Sequence, residues 1–115
     1  MNIHIENATQ QRIPRQHVLA RVTRALKRLA ASTASARITF SDLNGPKGGA
    51  DIRCALLVSV PGRPPIRAEH AATTPRLAFD EGYERVSRQL EALRLRRREA
   101  SRRPKKYFAA RRLLA

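Results

Sequence analysis

The side chains with the clearest capacity for chemistry in this sequence are arginines spaced three and four residues apart. Arg21, Arg24 and Arg28 form one series, and a second cluster contains Arg85, Arg88, Gln89, Arg94, Arg97 and Arg98. On a helix those spacings bring the first three guanidinium groups onto a single stripe. A guanidinium keeps its charge and offers five N–H donors in a rigid fork, so its chemistry is recognition of phosphate or carboxylate, not bond breaking. A basic stripe most often means only a solvated face. Here, however, the segment from Arg15 to Arg28 contains no acidic residue, so its cations gain nothing from intrahelical pairs. Arg15, in the first turn, even opposes the helix dipole.

No other constellation suggests catalysis. His4, His17 and His70 are scattered, without metal-ligand spacing, and read as ordinary surface or packing residues. Cys54 is the sole cysteine, which excludes an intramolecular disulfide and a cysteine-based zinc site; its place in an alternating apolar run makes it a small core residue. The glycines of NGPKGG could cradle a phosphate, but no helix follows them, so this is a hairpin loop whose Lys47 is placed to touch a phosphate. Asp80, Glu81 and Glu84 suit the start of a helix better than acid–base work. The sequence therefore predicts a protein that is not an enzyme, with no catalytic residue, cofactor, metal or small-molecule substrate.

The elements that must position these arginines follow from hydrophobic periodicity. Ile3 and Ile5 alternate with polar neighbours as in a first strand, and Pro14 opens a helix with Val18, Val22, Leu26 and Leu29 on its apolar face, Leu19 and Ala25 beside them. Residues 37–43 alternate again, the turn-rich SDLNGPKGGAD follows, and Ile52, Cys54, Leu56, Val58 and Val60 mark the most regular strand. A short strand over 66–71 leads to Thr74, a fitting N-cap, and Pro75, which begins a second helix. Along it Phe79, Tyr83, Val86, Leu90 and Leu93 form the core stripe. The order β-α-β-β-β-α predicts an α+β fold: a four-stranded mixed sheet with both helices on one face, a double-stranded-RNA-binding-like topology. Residues 1–98 should form one domain. Residues 99–115, broken by Pro104 and without sustained apolar periodicity, are expected to be a basic, flexible extension.

Composition agrees with a polyanionic partner. Among 115 residues, 24 are Lys or Arg and 9 are Asp or Glu, a formal net charge of +15. Such a balance points to nucleic acid first and to anionic membrane second. The apolar faces are claimed by the core, and no apolar run reaches the roughly 18 residues of a membrane span, so no membrane partner is expected. The opening MNIHIENATQ has no basic leader followed by an apolar stretch, so a cytoplasmic location is expected.

The element order, the loop SDLNGPKGGAD with IRC after it, and the run FDEGYERVSRQLEALR together resemble the ribosome hibernation-promoting factor family, also called ribosome-associated inhibitors or sigma-54 modulation proteins. The resemblance spans about residues 1–98. Arg88, Gln89 and Leu90 match a step common in the family's last helix, Arg85 and Arg94 stand where lysines are frequent, and Arg21 and Arg24 fall on basic positions of its first helix. The resemblance implies a bacterial, ribosome-associated factor that binds rRNA of the small subunit between head and body. There it would occupy the space of mRNA and tRNA, silencing translation under stress or in stationary phase. Long members add a second domain that pairs ribosomes; without it, this chain is expected to be a monomer off the ribosome. The rival reading is a general RNA- or DNA-binding protein with the same topology and no ribosomal address.

Overall fold

The computed structural model describes residues 1–29, 33–43 and 52–96 in full, and the backbone course of the last helix beyond them. The elements follow the expected order: β1 (Asn2–Ala8), α1 (Arg15–Arg28), β2 (Ser35–Asp42), β3 (Ile52–Ser59), β4 (Ile66–Ala72) and α2 (Pro75–Leu114). The sheet order is β1-β2-β3-β4; β1 runs parallel to β2, and β2, β3 and β4 pair antiparallel. The first pairing needs a crossover, which α1 supplies, whereas the others need only turns. The turn between β3 and β4 uses Gly62 at φ 77°, a left-handed conformation that costs a residue without Cβ little.

Both helices lie on one face. Alternation directs Ala36, Ile38 and Phe40 of β2, and Ile52, Cys54, Leu56 and Val58 of β3, toward them, all buried. From above, Val18, Val22 and Leu26 of α1 and Phe79, Val86, Leu90 and Leu93 of α2 complete a single core, and among the described residues no polar side chain is buried in it. Burying a large aliphatic or aromatic side chain contributes roughly 1.5–3 kcal/mol, so this layer is the main stabilising term. At Gly82 α2 packs tightly on the sheet: a Cβ there would stand 2.7 Å from Leu56 Cδ1.

The caps agree with the sequence in part. Thr74 Oγ1 accepts from the Leu77 N–H at 3.2 Å, the N-cap bond expected of it. Leu19, placed beside the core face by its sequence neighbours, is instead 45% exposed on the outer side of α1. The expected end of the second helix near Arg98 is also corrected, because the helical backbone runs through Pro104 to Leu114. Proline removes one i→i−4 bond and crowds the preceding turn, but the surrounding Ala, Arg, Lys and Leu are strong helix formers. Among the described residues no helix is long and apolar enough to cross a membrane.

Candidate nucleic-acid interface

The two helices run side by side in the same direction, as three successive contacts between them show. His17 Nε2 lies 2.7 Å from Asp80 Oδ1, the Tyr83 hydroxyl donates to the Arg21 carbonyl at 3.2 Å, and Arg28 reaches Glu91 at 3.6 Å. Because the core stripes of α1 and α2 point down into the sheet, the flanks that face each other form a shallow trough open to solvent. Its cleft, of about 70 Å³, has Ala25, Leu29, Tyr83 and Leu90 as apolar walls and Arg24, Arg28 and Arg94 at the rim.

The expected site residues divide into three groups. Arg21, Arg24, Arg28 and Arg94 meet at the trough, as the arginine spacing on α1 requires once α2 lies alongside. Arg21 places its guanidinium 5.5 Å from the centre of the Tyr83 ring, a cation–π contact that orients the side chain without neutralising it. Arg24 has no ion pair among the described residues, so its donors stand available. Arg94 is held by Glu91 through contacts of 2.7 and 3.1 Å, and this carboxylate raises the Arg94 pKa further above its ordinary value. Arg88 sits on the crest of α2 with Glu84 at 2.7 Å, one turn away.

Arg85 and Gln89 do not join the trough. They lie about 200° around the helix from Tyr83 and Ser87 respectively, on the flank over β4 where Glu81 meets His70. Arg96, exposed and seven residues beyond Gln89, extends that flank; its spacing was legible, but the sequence reading left it out of the site. Lys47, Arg97 and Arg98 complete the expected set, and their side chains lie outside the described residues.

Sequence reasoning also missed the partners of the histidines. His17, edge-on to Phe79 with ring centres 5.7 Å apart, bridges α1 to Asp80, which Arg76 also approaches at 3.8 Å. The His17 contacts tie the start of α2 to α1, and the His70–Glu81 pair ties it to β4, giving the trough fixed walls. No signal in the sequence joins residues 63 positions apart. Cys54 lies in the core, where burial pushes its thiol up to about 12, the setting of an inert apolar residue and not of a nucleophile. Among the described residues no group of three His, Cys, Asp or Glu is placed to hold a metal ion.

The fold recurs in solved structures. The N-terminal domain of Protein Y from Thermus thermophilus superposes with a TM-score of 0.64 at 22% identity, over 81% of this chain and 99% of that one. A ribosomal subunit interface protein from Coxiella burnetii superposes with a TM-score of 0.55 at 15% identity, over 83% of this chain and 99% of that one. No protein-family model matches the chain, and no curated protein matches it at a significant level. The fold expected from the sequence resemblance is thus the fold observed.

Proposed function

We propose that the chain is a ribosome-associated translation inhibitor that binds rRNA of the small subunit and silences the ribosome by occupying the mRNA and tRNA channel. The observation that carries this reading is the trough lined by Arg24, Arg28 and Arg94, with Arg21 over the ring of its Tyr83 wall, set on a fold shared with a ribosomal subunit interface protein. Two parallel helices present guanidinium groups at fixed separations, which suits phosphates held by folded RNA better than a flexible strand. Arg85, Gln89 and Arg96 on the second flank of α2, Arg88 on its crest, and Lys47, Arg97 and Arg98 widen the contact to further backbone. Inhibition then requires occupancy alone, with no covalent step. The chain acts in the cytoplasm as a monomer off the ribosome, in the stress and stationary-phase setting that the family resemblance implies. Residues 99–115, with six cations and one acid, raise affinity without selecting the site.

The test is stoichiometric addition to a purified translation system, with sedimentation in parallel. At about one copy per ribosome, synthesis should stop while rRNA and tRNA remain chemically intact, and the protein should sediment with small subunits. Sedimentation spread over bulk nucleic acid would favour the general binder instead. Cleaved or modified RNA would overturn the occlusion mechanism.

A further inference from the structure

The face of the sheet turned away from the helices is covered by no described element, and the strand register sorts its side chains into rows. One row crosses all four strands: His4, Arg37, Leu57 and Arg67. The next carries Glu6 and Glu69 at its two ends, with Thr39 and Ala55 between. In that part of the sheet Arg53 is matched by Glu69 at 3.4 Å. Arg37 and Arg67 have no such partner among the described residues, and both are exposed on either side of half-buried Leu57.

Folding does not account for this row. Each arginine has Leu57 as its cross-strand partner, and a carboxylate at that position would have paired with both. Charges do protect edge strands from pairing with other chains, which could explain Arg67 on β4. It cannot explain Arg37, because β2 lies inside the sheet between β1 and β3. The residues flanking Arg37 and Leu57 are short, Thr39 and Ala55 on one side and Ser35 and Ser59 on the other, while beside Arg67 on β4 stands Glu69, which Arg53 engages. Arg37 therefore stands above a low floor, and its backbone lies two strand spacings, about 10 Å, from that of Arg67. A continuous polyanionic backbone can approach such a strip, and the Leu57 side chain offers apolar contact to a sugar or base.

We infer that the Arg37–Leu57–Arg67 strip is a second RNA-backbone site, on the side of the domain opposite the helix trough. This inference rests on the ribosomal reading above and extends it: the domain is held between two rRNA segments, one against each face. The charge of the row excludes a second copy of this basic chain as its occupant. An acidic protein segment has the same complementarity in charge, and the experiment separates it from RNA.

The measurement is binding of the full chain to purified small subunits across a salt series, with hydroxyl-radical footprinting of the rRNA. The unsubstituted chain is compared with an Arg37→Ala/Arg67→Ala variant and with an Arg24→Ala/Arg28→Ala variant, each checked for native circular dichroism. The sheet variant should lower the slope of log affinity against log salt by about 1.5, the release expected for two phosphate contacts. It should also lose protections at nucleotides that the trough variant still protects. An unchanged footprint and slope would overturn the inference while leaving the ribosomal reading in place. Weaker binding with an unchanged footprint and slope would assign the face to an acidic protein segment, and would overturn it equally. If the unsubstituted chain does not bind subunits, the ribosomal reading falls and this one falls with it.

Discussion

Replacing Arg21, Arg24 and Arg28 together by Ala tests the trough most directly, because the three differ in what they do for the folded chain. Arg24 is without an ion pair among the described residues, Arg28 has only a 3.6 Å contact with Glu91 between two solvent-exposed side chains, and Arg21 rests on Tyr83. The stability at stake is accordingly small: roughly 0.5–1 kcal/mol for an exposed cation–π contact and less than about 1 kcal/mol for an exposed ion pair. Binding should respond far more. Each phosphate contact contributes about 0.7–0.9 to the salt slope, so three contacts contribute about 2.1 to 2.7. Between 50 and 200 mM salt, log concentration changes by about 0.6, and the affinity advantage of the unsubstituted chain should shrink about 20- to 40-fold. Filter binding to small subunits at several salt concentrations measures the slope, and thermal denaturation confirms that the fold persists. Equal slopes for the variant and the parent would refute the placement of phosphates in the trough.

Glu91 holds the cation at the trough's other wall, so Glu91→Gln should release Arg94 and tighten binding to small subunits in the same assay. Weaker binding would show instead that the carboxylate positions Arg94 for its phosphate. The thiol of Cys54 has an ordinary value of 9.0 and is pushed up to about 12 by burial, so the folded state resists forming the thiolate. This contribution to stability is complete below about pH 9 and is lost as pH rises toward 12; chemical denaturation from pH 8 to 11 should show the loss in the parent and less of it in Cys54→Ala. Native protein at pH 8 should likewise resist alkylation until it unfolds, and rapid labelling would contradict the burial of Cys54.

Most of the fold was legible because its signals are local. Alternation in Ile52–Ser59 and the stripe from Phe79 to Leu93 depend only on how side chains project from strands and helices, and burial follows that pattern closely. Thr74 caps α2 because capping involves residues within one turn. Where the last helix ends was less legible: the proline rule ended it at Arg98, whereas the propensities of its neighbours carry the backbone to Leu114.

The sequence by itself determined the element order, the single core and the excess of arginine over acid, since each depends on residue type and short-range spacing. Which arginines act together was decided only by tertiary structure. Arg94 joins Arg21, Arg24 and Arg28 because α2 lies parallel to α1, while Arg85 and Gln89, equally basic or polar in sequence, are turned about 200° away by the same helix. His17 found Asp80, and Arg37 came into one row with Arg67, through register and helix docking. The physical reason is common to all of these. Charge and periodicity are written residue by residue, but the separation between two charges on different elements exists only after the apolar faces have closed on one another and fixed it.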